Sequence, residues 1–225
     1  MTGTIYLGGG GSEDEEANLW TEAFRPGSHI TVWPFAHRAL ADRQSAGRWI
    51  SCALERFDPS HIDIWTSPES RVHSDLGAMD IIAIPGGNTF DLLDTLKSSG
   101  LLLALRAFLN RGGHVYGGSA GAILMGHDID IALKADPNDV GLQDTTGMGL
   151  LGEADVLPHY TEELLDIARA HHAKSGRSVL CLPEPSGVVV KGGIIRNVGP
   201  EPVNIITSTA TTTYEMGATW PIGLH

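Results

Sequence analysis

The chain has 225 residues, 42% apolar and 19% charged, which is ordinary for a globular protein able to bury a substantial core. Its formal net charge of −12 disfavours nucleic acid and anionic membranes as partners. The two cysteines, Cys52 and Cys181, share no motif spacing and are expected to be small buried residues in a reducing compartment. The chain shows neither a signal-peptide pattern nor an apolar run of about 18 residues, so we expect a cytoplasmic protein.

Strand and helix patterns alternate along the chain up to residue 118. Apolar strands are predicted at residues 4–7, 29–33, 61–65, 79–84 and 114–116. Helices are predicted after Ser12, which is placed to act as an N-cap, over 38–57, after Phe90 and over 101–110. This alternation is typical of a doubly wound, mostly parallel sheet with helices on both faces and a ligand site at the carboxyl ends of the strands.

A different pattern follows the first half of the chain. Residues 127–146 are polar and rich in aspartate, residues 147–157 are strand-like, and a helix is predicted over 162–173. Short antiparallel strands joined by glycine turns are predicted at residues 179–182, 187–191, 194–198 and 203–206. The tail from residue 208 shows no usable periodicity. Since no repeat or linker divides the chain, we expect residues 1–225 to form a single α/β domain.

The segment Gly117-Gly118-Ser119-Ala120-Gly121 is the strongest candidate for chemistry. It lies where a predicted strand ends and a helix begins, as in a nucleophile elbow that exposes a serine hydroxyl. The Ala120 N–H, at the start of that helix, has no intrahelical acceptor and could hold a developing oxyanion. The alternative is an ordinary glycine-rich turn with a serine N-cap.

A second glycine-rich loop, Gly86-Gly87-Asn88-Thr89, follows the strand predicted at residues 79–84. Loops that end neighbouring parallel strands open at the same edge of the sheet. An N–H of Gly86 or Gly87 could therefore join that of Ala120 in an oxyanion hole. A tight turn capped by Asn88 or Thr89 is the alternative.

A serine nucleophile needs a base and a carboxylate that orients it. His159 is the best of the histidines, because it follows a predicted strand and Pro158. The acid is expected between the serine and the histidine, where the candidates are Asp128, Asp130, Asp136, Asp139 and Asp144.

Three motifs together resemble those of the peptidase E family. They are Ile84-Pro85-Gly86-Gly87-Asn88-Thr89-Phe90, Gly117-Gly118-Ser119-Ala120-Gly121-Ala122 and Leu157-Pro158-His159-Tyr160. This family comprises serine peptidases with a class I glutamine-amidotransferase-like (flavodoxin-like) fold and includes aspartyl dipeptidase and cyanophycinase. The resemblance extends from about the first strand to the histidine motif.

The resemblance implies roles for individual residues. Ser119 would be the nucleophile, His159 the general base, and Gly87 with Ala120 the oxyanion hole. The acid of peptidase E would fall near Lys134, which cannot serve, and Asp130 is similar in placement to the acid of longer members. We therefore expect Asp130 to complete a Ser-His-Asp triad. No clear counterpart exists for the basic residue expected to pair with an aspartyl side chain.

The expected function is hydrolysis of small peptides, as by a dipeptidase, without a cofactor or metal. Nucleic acid and membrane are not expected as partners, and a homo-oligomer remains open. An α/β-hydrolase-type esterase and a non-catalytic binding module on the same fold are the alternatives. A nucleotide site at residues 8–11 is disfavoured, because the acidic residues 13–16 beyond it would repel a pyrophosphate. A metal site at His127, Asp128 and Asp130, or at His171 and His172, is disfavoured too.

Overall fold

In the computed structural model of the protein, residues 2–68 and 73–223 are described. Their α-helices are α1 (Ala17–Ala23), α2 (Leu40–Leu54), α3 (Thr89–Ser98), α4 (Leu101–Asn110), α5 (Ala120–Met125) and α6 (Leu165–Ser175). Short 3-10 helices lie at Glu55–Phe57, His73–Ala78, Asp130–Lys134 and Glu162–Leu164. None of the helices in these ranges combines the length and apolar character needed to cross a membrane.

The strands form two sheets. They are β1 (Ile5–Gly8), β2 (His29–Val32), β3 (His61–Ile64), β4 (Ile81–Ile84), β5 (His114–Gly118), β6 (Ala154–Leu157), β7 (Ser178–Cys181), β8 (Gly187–Lys191), β9 (Ile194–Asn197), β10 (Val203–Ile206), β11 (Thr211–Tyr214) and β12 (Thr219–Pro221). In the described residues the larger sheet has the order β12-β9-β8-β1-β5-β4-β2-β3, and the smaller one has the order β11-β10-β7-β6.

In the larger sheet, the five neighbouring strands β1, β5, β4, β2 and β3 are parallel, and the strands on the other side of β1 are antiparallel. β5 pairs in parallel with β1 on one side and with β4 on the other. β8 continues the sheet antiparallel to β1, followed by the antiparallel strands β9 and β12. The parallel α/β half and the antiparallel C-terminal strands predicted from the sequence are therefore confirmed.

Helices cover both faces of this sheet, because alternate residues of each strand face opposite sides. Ile5 and Leu7 of β1 lie in one hydrophobic cluster with the buried side chains of α3, α4 and α5. Tyr6, between them in sequence, lies in a second cluster with buried side chains of α1 and α2. The near-continuous apolar run of β4 results from this arrangement, since both faces of the strand are buried.

The smaller sheet is a feature that the sequence did not predict as a separate layer. β6 and β7 pair in parallel, and β7 continues antiparallel through β10 to β11. Buried residues of β6 and β7 share the hydrophobic cluster that contains α5. The predicted strand over 147–157 shortens to β6, because the N–H groups of residues 147–150 bond carbonyls of α5 and of the loop after it.

The C-terminal tail holds two strands that the sequence pattern did not indicate. Thr211, Thr212 and Thr213 of β11 are all exposed, so no alternation of apolar and polar residues marks this strand. Trp220 of β12 is buried and stacks on Tyr214 at a centroid distance of 3.9 Å.

The prediction that both cysteines are buried is half right. Cys181 is buried, and burial raises the pKa of its thiol, whereas Cys52 is exposed on α2.

A buried charge cluster ties β6 to α6 and to the loop after α5. The Asp155 carboxylate, with no solvent exposure, accepts hydrogen bonds from His171 Nε2 at 2.6 Å and Arg177 Nε at 2.8 Å. It also accepts from the Asp128 N–H at 2.8 Å. Burial alone would raise the pKa of Asp155, but these donors hold it below the ordinary value of 3.8.

We predict that Asp155→Asn lowers the free energy of unfolding by about 3 kcal/mol at pH 7, because it removes the buried carboxylate to which the partly buried Arg177 guanidinium donates. A depressed carboxylate pKa stabilises the fold above the unfolded value and loses that effect as pH falls through the folded value. The variant should therefore lose less stability than the wild type on acidification below about pH 4. Urea unfolding at pH 7 and at acid pH measures both effects. Asp139→Asn, at an exposed carboxylate, is the control; equal stability of the two variants would contradict the prediction.

Candidate active site

The turn from β5 to α5 presents Ser119. Its φ of 51° and ψ of −111° lie in a region that non-glycine residues rarely adopt. The turn closes because glycines replace larger residues at two points. A Cβ atom on Gly121 would clash with the Ile84 carbonyl oxygen, and one on Gly117 would clash with the Gly121 carbonyl. Glycine at these two positions thus permits the elbow geometry that the sequence motif predicts.

Ser119 and His159 are in hydrogen-bonding contact. The distance from Ser119 Oγ to His159 Nε2 is 2.8 Å. His159 lies two residues after the end of β6 and has a positive φ of 53°. Its other ring nitrogen, Nδ1, lies 2.8 Å from Oε1 of Glu184. When Nδ1 carries the proton and donates to Glu184, Nε2 is free to accept the serine proton.

Asp130, the acid expected from the sequence, is not brought to His159. It begins a 3-10 helix, and its carboxylate pairs with Lys174 Nζ at 2.8 Å and lies 3.7 Å from His171. The physical reason is that Lys174 and Arg177 hold the Asp130 carboxylate beside the buried cluster around Asp155. The carboxylate in contact with the imidazole of His159 is that of Glu184 instead.

The other aspartate candidates have partners elsewhere or are exposed. Asp136 accepts from the Thr89 N–H and hydroxyl, at 2.8 and 2.6 Å. Asp144 pairs with Lys97 at 2.8 Å, Asp128 lies 3.9 Å from Arg177, and Asp139 is exposed.

Glu184 lies outside the segment between the serine and the histidine, in which the sequence predicts the acid. Glu184 follows β7 as His159 follows β6, but only the structure shows that these two strands are parallel neighbours. The rule that neighbouring parallel strands end at one edge therefore applies to the smaller sheet as it does to the larger one.

The Gly86-Gly87 loop, which follows β4, lies against Ser119. A Cβ atom on Gly86 would sit 3.1 Å from Ser119 Cβ and 3.3 Å from its Oγ. Gly87 has a φ of +136° and packs on the Ala36 backbone, which accepts the N–H of Asn88 at 2.8 Å. Within the described ranges, no hydrogen bond is made by the N–H of Gly87 or of Ala120. Asn88 does cap α3, as the alternative interpretation of this loop expected.

Residues 8–11, here called the glycine loop, contact the serine, the histidine and the backbone next to Glu184. Gly8 O accepts the Ser119 N–H at 3.4 Å, and Gly9 O accepts the His159 N–H at 2.8 Å. Added Cβ atoms at Gly9 and Gly10 would clash with the Pro183 backbone and with the His159 ring. Glycines here therefore allow the loop to touch both sheets at once.

The glycine loop is in turn held by Glu16, whose side chain is buried. Glu16 Oε1 accepts the N–H groups of Gly10 and Gly11, at 2.8 and 3.2 Å. Its Oε2 accepts Trp20 Nε1 at 3.0 Å and the Tyr116 hydroxyl at 2.7 Å. Burial raises the pKa of Glu16, and the four donors oppose that rise. The loop amides that a nucleotide phosphate would need are thus already bonded to Glu16.

Two cavities meet at the Ser119–His159 pair. The first, called the aromatic cavity, has a volume of about 300 Å³ and is lined by Trp20, His37, Ala46, Trp49, Ile50 and Tyr116. The second, called the aliphatic cavity, has a volume of about 280 Å³ and is lined by Ile123, Ile131, Lys134, Leu157, Leu164 and Ile167. Ser119 and His159 line both, so a substrate can extend to either side of the hydroxyl.

Two groups of side chains in the described residues could present metal-ligating atoms. Asp130, Asp155 and His171 form one, and His29, His61 and Asp63 form the other. The first is already neutralised by Arg177 and Lys174, which bond Asp155 and Asp130. Neither group includes Ser119, His159 or Glu184, so both lie outside the candidate active site.

Comparisons with known proteins identify the family. The model for Peptidase family S51 matches residues 29–198. The uncharacterized peptidase YgaJ of Bacillus subtilis is 31% identical over 186 residues, which cover 80% of this chain and 78% of that protein. Peptidase E of Actinobacillus pleuropneumoniae serotype 5b is 41% identical over 104 residues, which cover 46% of this chain and 43% of that one.

A solved structure shows the same fold. A peptidase from an acI-B1 Actinobacterium aligns with a TM-score of 0.73 at 18% identity, covering 98% of this chain and 97% of its own. The elbow and the order of the three motifs agree with the family match, which covers more than half of the sequence. The chain belongs to Peptidase family S51 and is a serine-type peptidase related to peptidase E.

Proposed function

We propose that the protein hydrolyses short peptides, dipeptides among them, by an acyl-enzyme mechanism that uses Ser119, His159 and Glu184. The observation that carries the proposal is the continuous hydrogen-bonded relay from Ser119 Oγ through both ring nitrogens of His159 to Glu184 Oε1. This arrangement of nucleophile, base and orienting carboxylate is the one that acyl transfer requires. Glu184 takes the role that the sequence assigned to Asp130.

In the first step, Ser119 Oγ attacks the peptide carbonyl carbon while its proton passes to His159 Nε2. Glu184 orients the ring and stabilises the imidazolium that forms. The C–N bond then breaks, and His159 returns the proton to the leaving amine. In the second step a water molecule, deprotonated by His159, hydrolyses the ester and frees Ser119.

The tetrahedral oxyanion of each step needs donors that are not engaged elsewhere. We assign the N–H groups of Gly87 and Ala120 to this task, because neither makes a hydrogen bond within the described ranges. The Gly86-Gly87 loop also lies against Ser119. Donors placed in this way contribute about 3 kcal/mol each to transition-state stabilisation.

Two observations support short peptides as substrates. The cavities beside Ser119 have volumes of about 300 and 280 Å³, which suit one or two side chains on each side of the scissile bond. The relatives that carry the name peptidase E support a peptide as the substrate. Membership of a peptidase family favours this proposal over the esterase and over the binding module.

Replacing Glu184 tests whether it, rather than Asp130, is the acid of the triad. Glu184→Gln should lower kcat for a short peptide substrate by about a thousand-fold, because His159 loses the partner that fixes its tautomer. Ser119→Ala should abolish turnover and labelling by a fluorophosphonate probe without lowering the melting temperature. Steady-state kinetics and intact-protein mass spectrometry are the measurements.

Asp130→Asn is the matched control, since that carboxylate bonds Lys174 rather than His159. It should keep kcat within a few-fold of the wild type. A large loss in Asp130→Asn together with a small one in Glu184→Gln would restore the Ser-His-Asp assignment. An unchanged turnover in Ser119→Ala would refute the nucleophile itself.

In this proposal Glu16 is a positioning residue. It touches no reacting atom, but it fixes the N–H groups of Gly10 and Gly11, in the loop that bonds His159 and Ser119. If the loop moves, the imidazole moves with it, and a displacement of about 1 Å can cost a hundred-fold in rate.

We predict that Glu16→Gln lowers the free energy of unfolding by about 2 kcal/mol, because an amide can satisfy only part of the four buried donors. It should lower kcat about ten-fold or more with little change in KM, since substrate contacts remain. Denaturant titration and steady-state kinetics measure the two effects. Glu15→Gln is the control, because Glu15 is exposed and, within the described residues, its side chain bonds Ser12 alone. A destabilised Glu16→Gln with wild-type kcat would show a structural role alone.

A further inference from the structure

The aromatic cavity differs from the rest of the surface around Ser119 in its chemistry. Trp20 and Tyr116 are buried side chains that line it, while Ala46, Trp49 and Ile50 line it from α2. Trp49 is 55% exposed, which is unusual for so large an apolar side chain at the edge of a cavity. A ligand in the cavity would cover this indole and remove its apolar surface from water.

The charges around the cavity disfavour an anionic occupant. No lysine or arginine is among the described residues that line it, and its titratable side chains are those of His37, Tyr116 and His159. Beneath Trp20 and Tyr116 lies the Glu16 carboxyl, to which both of them donate hydrogen bonds. A buried substrate carboxylate would therefore lack a cationic partner among the side chains that line the cavity. The net charge of −12 also repels anionic ligands at long range.

We propose that the aromatic cavity is a side-chain subsite for a neutral aromatic or large aliphatic residue of the peptide substrate, and that Trp49 determines this specificity. The inference rests on the proposed function, because it takes Ser119 as the reacting group. A volume of about 300 Å³ accommodates a side chain of this size beside the hydroxyl. An offset or edge-to-face contact with the Trp49 indole favours an aromatic side chain over an aliphatic one of equal area.

The residues at the edge of the cavity explain why the subsite opens next to the reaction centre. Pro85, Gly86 and Gly118 line the cavity together with Ser119, and a Cβ atom on Gly86 would lie 3.3 Å from the Ser119 hydroxyl oxygen. A substrate residue adjacent to the scissile bond can thus enter the cavity while its carbonyl carbon lies at Ser119 Oγ. This is a property of a specificity pocket rather than of a distant surface cleft.

The test uses dipeptides in which one residue is alanine and the other is phenylalanine, leucine, aspartate or lysine, in both orders. For the wild type we expect kcat/KM at least ten-fold higher with phenylalanine or leucine than with aspartate at one of the two positions. Trp49→Ala should reduce that preference about ten-fold, mainly through KM. Leu40→Ala is the matched control, because Leu40 is on the same helix, 52% exposed, and outside the cavity.

The outcomes separate the two proposals. If the wild type cleaves dipeptides and Ser119→Ala does not, the peptidase function stands. The subsite inference is nevertheless overturned if the wild type prefers aspartate, or if Trp49→Ala has the same kinetics as Leu40→Ala. If a fluorophosphonate labels Ser119 but no dipeptide of the set is cleaved, the subsite inference is again overturned. If neither labelling nor cleavage occurs in folded protein, the proposed function fails as well.

Discussion

The hydrogen bonds from the glycine loop to the buried carboxyl of Glu16 are the constraint on which the site depends. Glu16 is 1% exposed, and its two oxygens accept four donors, two of them the N–H groups of Gly10 and Gly11. A buried carboxyl is costly unless its acceptors are satisfied, so this geometry permits little variation. Through the carbonyls of Gly8 and Gly9, the same loop fixes the backbones at Ser119 and His159.

This arrangement explains how residues from two sheets meet at one point. Ser119 follows β5 of the larger sheet, whereas His159 and Glu184 follow the parallel strands β6 and β7 of the smaller one. The glycine loop follows β1, next to β5, and reaches the smaller sheet because its residues have no side chains to obstruct the contact. The cleft therefore lies between the sheets, with one cavity on each side of the hydroxyl.

The parts of the fold that carry strong local signals could be predicted from the sequence. The alternation up to residue 118, the elbow at Ser119 and the position of His159 after a strand are all present, and α4 has the predicted bounds. Glu184 could not be assigned from chain order, because its place depends on β6 and β7 pairing in parallel in a second sheet. The burial of Glu16 could not be predicted for a similar reason. An acidic residue at the start of a helix usually faces solvent near the helix dipole, and only the tertiary structure buries this one under Tyr116.

A crystal structure of the protein after reaction with a fluorophosphonate tests the central claim most directly, namely that one hydroxyl, one imidazole and two backbone amides converge. The account predicts phosphorus bonded to Ser119 Oγ and a phosphoryl oxygen within about 3 Å of both the Gly87 and the Ala120 nitrogen. It also predicts that His159 Nδ1 stays bonded to Glu184. An adduct on another residue, or a phosphoryl oxygen that faces away from both amides, would contradict it.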